Sequence, residues 1–167
     1  RGLGDVYKRQ SLMIFFVGVL LGVMIYFFLD VDLGEMYLND DITIKEIFIN
    51  NFIYFLVSIL GFLSIGIVNI GLLIINGGMI GFFFAHCLKS NQLLKFFLYL
   101  GPHAVLEILV LILTSAFSFY TVVFAYKRII KKQKIKGNLI KRFLLTFFLS
   151  CVLLFIAAVI ETYFKPF

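Results

Sequence analysis

Apolar runs and polar breaks alternate along this chain with a spacing that predicts membrane-crossing helices. Residues 11–29 carry no charge and predict a first span, with Gly18 and Gly22 spaced for a close helix–helix contact. Residues 30–46 form a polar stretch in which Asp30, Asp32, Glu35, Asp40, Asp41 and Glu46 face a single Lys45, predicting a loop with a short interfacial helix near 42–48. Residues 47–85 are again free of charge. As one helix they would be about 58 Å long, roughly twice the hydrocarbon core of a bilayer, so the segment must fold back. Gly61, Gly66, Asn69 and Gly71 supply breakers and predict two short spans, 47–66 and 72–88, with Asn76-Gly77-Gly78 as a rival turn site. Residues 89–101 predict a polar connection and then an aromatic stretch at the interface. Pro102 suits the first turn of a new helix, where its missing N–H costs nothing. The fourth span is expected at 102–126 and the fifth at 143–164.

Composition agrees with this pattern. The chain has 167 residues, of which 62% are hydrophobic and 14% charged, and its mean hydropathy is +1.07. A soluble domain of this size carries far more polar surface, so the fold class is all-α, a polytopic helical bundle in a lipid bilayer. Much of the net charge of +6 lies in residues 127–142, where Lys127, Arg128, Lys131, Lys132, Lys134, Lys136, Lys141 and Arg142 occur with no acid. Short loops rich in Lys and Arg stay cytoplasmic, which sets the topology as N-in and C-out. The stretch from Glu46 to Pro102 then begins and ends outside, which requires an even number of crossings and supports splitting it in two. Basic charge concentrated in one loop does not point to nucleic acid; it serves topology and can meet anionic lipid heads. Cys87 and Cys151 sit in apolar runs and read as small buried thiols, too few for a disulfide framework.

Residues 1–10 are read apart from the rest. Asp5-Val6-Tyr7-Lys8-Arg9-Gln10 is what GAT-GTG-TAT-AAG-AGA-CAG encodes, the end sequence of a sequencing-library transposon. They are excluded from fold reasoning, leaving residues 11–167 as a single membrane domain whose natural N-terminus is expected to be missing. Without their three basic residues and one acid the net charge falls from +6 to +4.

Ionisable side chains inside the spans are few, and such groups are costly in lipid. The N-in topology puts His86, His103, Glu107 and Glu161 at similar depth near the outer face. His103 and Glu107 share a helix face through their i, i+4 spacing. The structural reading is a hydrogen-bonded network pinning the third, fourth and fifth spans. A binding pocket for a partner or ligand is the next, and a metal or proton-handling site the third, since two histidines and one or two carboxylates can ligate zinc. His-x-x-x-Glu alone is not a metal motif, and no His-Glu-x-x-His is present, so no metal and no cofactor is expected. Asn50, Asn51, Asn69 and Asn76 can bridge helices in the same way. The chain has no phosphate loop, no Gly-x-Ser-x-Gly and no paired intramembrane aspartates.

Asn50-Asn51 opening a long apolar stretch, then Asn76-Gly77-x-x-x-Gly81, then Pro102-His103-x-x-x-Glu107, and Ile160-Glu161 with Pro166 near the end, form an ordered set that resembles the stage II sporulation protein M family. The resemblance runs from about Ser11 to Phe167. Ala104 departs from it, because the family usually has glycine there, and the family's N-terminal cytoplasmic part is absent, as expected for a truncated fragment. The resemblance implies an integral membrane protein of about five spans in a bacterial cytoplasmic membrane. The family's namesake helps assemble a peptidoglycan-degrading machine during spore engulfment. The expected role is therefore a non-enzymatic membrane scaffold whose partners are extracytoplasmic cell-wall hydrolases or other membrane proteins. A channel or transporter component is the alternative, suggested by the short broken spans. An intramembrane metalloenzyme built on His86, His103 and Glu107 is the third.

Overall fold

Each apolar run becomes a helix because a backbone in lipid can satisfy its N–H and C=O groups only within itself. The computed structural model describes residues 3–29, 43–133 and 138–163. They form α1 (Leu3–Leu29), α2 (Ile44–Ile59), a 3₁₀ turn (Gly61–Ser64), α3 (Ile67–Lys89), α4 (Leu93–Ala125) extended by a π turn (Tyr126–Ile130), and α5 (Leu139–Tyr163). The acidic stretch 30–42, Lys134, Lys136 and Pro166 lie outside the described residues.

Among the described residues, four helices are each long and apolar enough to cross a membrane, at Asp5–Leu29, Ile67–Lys89, His103–Ile130 and Leu139–Tyr163. The fifth crossing is shorter. α2 has 16 residues, of which the uncharged Ile47–Ile59 part makes about 20 Å of helix, and the 3₁₀ turn adds about 8 Å. Together they match the roughly 30 Å hydrocarbon core. The apolar part of α2 begins at Ile47. Just ahead of it Thr43 caps the helix in a reciprocal box with Glu46: Thr43 N donates to Glu46 Oε2 at 2.9 Å and Glu46 N donates to Thr43 Oγ1 at 3.4 Å.

The reversal between α2 and α3 falls at 60–66, earlier than the turn expected between spans 47–66 and 72–88, and residues 67–71 are already the first turn of α3. Ile65 and Gly66 both adopt left-handed conformations, at φ 57° and 87°. Gly66 has a second reason to be glycine, since a Cβ there would stand 2.8 Å from the Phe119 ring. The rival site, Asn76-Gly77-Gly78, is not a turn; it lies in the middle of α3. Those glycines are contact surfaces. A Cβ on Gly18 of α1 would stand 2.5 Å from the Ile74 carbonyl oxygen. Cβ atoms on Gly22, Gly77 or Gly81 would collide with the carbonyls of Gly78, Phe15 and Val19 respectively. Gly71, expected to be a breaker, is also helical. At Gly101 the backbone leaves the helix (φ 42°, ψ −174°), so residues 93–100 form a short helix ahead of the crossing that Pro102 opens.

Contacts fix the directions. α1 and α3 run parallel, with Gly18 beside Ile74, Gly22 beside Gly78 and Tyr26 beside Phe82. α2 and α4 run parallel, with Asn51 on Glu107 and Ser58 on Thr114. α5 is antiparallel to α2, with Phe48 against Phe155 and Phe55 against Phe147. Crossing directions therefore alternate along the chain, placing the two ends on opposite faces. α4 is the central element. Half of its spanning window is buried, against 22% in each of the other three long helices. α1, α3 and α5 turn side chains such as Met24, Met79 and Phe148 outward to lipid. At one end Arg142 lies 4.7 Å over the Tyr120 ring and Arg128 lies 6.0 Å over Phe124, which marks the basic end of the bundle.

Candidate functional site

Two polar regions lie inside this bundle at different depths. The deeper one joins the end of α2, the start of α3 and the middle of α4. Asn69 is its centre and is fully buried. Its Nδ2 lies 2.7 Å from the Ser58 carbonyl oxygen, 3.0 Å from Ser58 Oγ and 3.2 Å from Ser115 Oγ. Its Oδ1 accepts from Ser118 Oγ at 2.9 Å. Ser58 and Thr114 hydroxyls pair at 2.7 Å, and Thr114 also donates to the Val110 carbonyl at 2.9 Å. In the sequence Asn69 reads as a breaker or a helix bridge, and nothing beside it singles out its three hydroxyl partners, Ser58, Ser115 and Ser118. The signal for them is Thr114-Ser115-x-x-Ser118, three hydroxyls within five residues of the fourth span.

The second region lies toward the face away from the basic loop. Here α4 carries Glu107 about one turn beyond Pro102, and Asn51 Nδ2 of α2 donates to Glu107 Oε1. Glu161 of α5 is near enough to act on Glu107 electrostatically. The structure thus brings together Glu107, Glu161 and Asn51 from three helices. His103 is half-buried in the first turn after the Gly101 break, its ring folded back toward Gly101.

His86 does not join them. It belongs to the α1–α3 pair, where its Nδ1 is 3.3 Å from the Tyr26 hydroxyl and the two rings meet edge to face at 5.9 Å. Lys89 lies 5.8 Å over the same Tyr26 ring. Similar depth in the bilayer therefore did not make one four-residue cluster, because α3 presents His86 toward α1. Among the described residues, no group of three or more His, Cys, Asp or Glu side chains is disposed to hold a metal ion.

Between α2, α3 and α4 lies a groove of about 500 Å³. Its polar lining is Asn50, Asn51, Tyr54, Asn76, Glu107 and the Ser58–Thr114 pair, and apolar residues make up the rest. Asn76 donates from Nδ2 to the Leu72 carbonyl one turn back at 2.8 Å and faces the groove. The residues of the ordered motif thus separate by task. Asn51 and Glu107 tie α2 to α4, Asn76 lines the groove, and Gly77 and Gly81 admit α1. Of the basic loop, Lys127, Arg128, Lys131, Lys132, Lys141 and Arg142 are described, and all belong to the opposite end of the bundle.

The family model described as Stage II sporulation protein M matches residues 11–166, nearly the whole chain. No curated protein and no solved structure matches.

Proposed function

Since the chain belongs to the stage II sporulation protein M family, we propose that this multi-pass membrane protein is a non-enzymatic scaffold that gathers extracytoplasmic cell-wall hydrolases at a bacterial cytoplasmic membrane. The observation that carries this reading is the use made of the intramembrane polar groups. Ser58, Asn69, Thr114, Ser115 and Ser118 bond to one another, Asn51 bonds to Glu107 and Tyr26 to His86. Interhelical hydrogen bonds of this kind hold helices in a defined arrangement, which is what a platform for partners requires. Chemical cross-linking in native membranes followed by co-purification tests the role. Enrichment of a peptidoglycan-cleaving enzyme is expected, and recovery of no hydrolase above background would overturn it.

A transporter component is the second reading. It is favoured by the short α2 with its 3₁₀ turn and by the break at Gly101, since interrupted helices often border substrate sites. Flux through reconstituted vesicles would support it, and none across ions and small solutes would remove it.

A further inference from the structure

The groove beside Glu107 is shaped for one leaflet. Leu100 stands at its mouth ahead of the Gly101 break, and along the crossing part of α4 its lining runs from Ala104 to Thr114, about 15 Å of helix, or half of a roughly 30 Å hydrocarbon core. Its inner end is closed by the Ser58–Thr114 hydrogen bond and by Leu72. A transmembrane helix of a partner would need a seam through the full thickness of the membrane, whereas a lipid tail needs only half. The groove opens sideways toward the bilayer, where Tyr54 is 52% exposed and Met79 67% exposed. Its volume lies within the roughly 300–1,000 Å³ of small-molecule sites.

Its chemistry is directional as well. The deeper walls are apolar, built by Leu72, Ile75 and Leu111. Glu107 supplies a carboxylate, and no Lys, Arg or His is among the described residues that line the groove. A carboxylate taken out of water demands a cation or strong donors. Asn51 provides one donor, and an ammonium group entering from the bilayer would provide the counter-charge. Around it the amides of Asn50 and Asn76 can donate to an anionic oxygen. An amide carries two N–H donors, and Asn76 gives one of them to Leu72.

We propose that the α2–α3–α4 groove binds a single zwitterionic, amine-bearing phospholipid from the leaflet away from the basic loop, with the ammonium on Glu107, the phosphate near Asn50 and Asn76, and one acyl chain over Leu72, Ile75 and Leu111. This site is independent of the scaffold role: either can stand without the other.

The test reconstitutes the full chain in phosphatidylglycerol vesicles doped with a diazirine-acyl phosphatidylethanolamine or with a diazirine-acyl phosphatidylglycerol, and maps the photoadducts by peptide. The ethanolamine probe is expected to label the Ile75–Met79 region about tenfold more than the glycerol probe, the ratio expected from one charge-assisted hydrogen bond. Glu107→Gln, which still accepts from Asn51, is expected to abolish this preference while labelling of the outward faces of α1 and α5 stays unchanged. Ala104→Trp fills the groove one turn from Glu107 while leaving the carboxylate in the chain, and is expected to remove groove labelling by both probes. Equal labelling by the two probes, or a preference that survives Glu107→Gln, would reduce the site to ordinary lipid contact and overturn the proposal. In native membranes a photocrosslinker in place of Met79 is expected to give a lipid-mass adduct. A protein-sized adduct there would assign the groove to a partner helix or a second copy instead.

Discussion

Along the seam between α1 and α3 the two backbones touch, whereas between α2 and α4 a layer of hydroxyls, amides and a carboxylate stands between the helices. The first seam depends on residues that have almost no side chain: Gly18 and Gly22 facing Ile74 and Gly78, with Gly77 and Gly81 facing Phe15 and Val19. The second depends on side chains that bond: Asn51 with Glu107, and Ser58 with Thr114 and Asn69. In lipid the tails are as apolar as the helices, so no hydrophobic force distinguishes helix from solvent, and close packing or hydrogen bonding must do so. The molecule uses both, one on each side of α3. The glycine seam is close-packed, and the polar seam leaves a groove. Close van der Waals packing excludes a ligand; a hydrogen-bonded layer, with its longer side chains, can admit one.

The largest test of this contrast is Gly22→Leu. The added side chain meets the Gly78 backbone, which cannot move without shifting α3. A loss of about 3 kcal/mol or more is expected, the upper range for overpacking, read as a lower midpoint in detergent-mixture unfolding of the reconstituted chain. If Gly22→Leu costs no more than the same change at an outward position, the seam is not held by close approach.

Asn69→Leu probes the other seam. It removes the acceptor of Ser118 and a donor to Ser58 and Ser115 in a fully buried setting. A loss of about 1–2 kcal/mol is expected, smaller than for the glycine because hydroxyls re-pair with helix carbonyls. A double-mutant cycle with Ser118→Ala that shows no coupling would disconnect the network.

Gly71→Ala is the counterpart of both. A Cβ at Gly71 meets nothing within 4 Å. The change is expected to stabilise α3 by roughly 0.5–1 kcal/mol, through backbone entropy alone. Destabilisation in the same unfolding assay would mean that this face of α3 is covered.

The smallest effect concerns where the polar seam begins. Outside the membrane, the backbone and side-chain bonds from Thr43 hold the Glu46 carboxyl below its ordinary value of 4.5. A depressed folded value means that the cap contributes above the unfolded pKa and is lost as pH falls through the lower folded value. Protection of the first α2 amides against hydrogen exchange, taken relative to the intrinsic rate at each pH, should fall on acidification through that window, and Glu46→Gln should flatten the response. An unchanged pH profile in the variant would show that the cap does not depend on the carboxylate.

Much of this architecture is legible in the sequence. Uncharged runs longer than a bilayer core require helices, a 47–85 segment too long for one crossing requires a reversal, and the Lys/Arg block orients the bundle. The sequence does not separate a glycine that breaks a helix from one that lets another helix approach. Asn76-Gly77-Gly78 reads equally well as a turn, and only α1 lying against it makes it a contact face. Depth is legible but azimuth is not. His86 and Glu107 fall near the same end, yet α3 aims His86 at Tyr26 of α1 while α4 aims Glu107 at Asn51 of α2. The hydroxyls of Thr114, Ser115 and Ser118 pass as ordinary span residues until Asn69 is seen between them.

Burial against lipid is a one-dimensional requirement, met residue by residue along the chain, and so the sequence by itself determined the all-helical class, the crossings and their orientation. Which helix faces which is a two-dimensional problem in the membrane plane. It is settled by pairs distant in the chain, such as Gly22 with Gly78 and Asn51 with Glu107. Only the tertiary structure decided that α1 closes on α3, that α4 sits at the centre, and that the gap left between α2 and α3 contains a carboxylate.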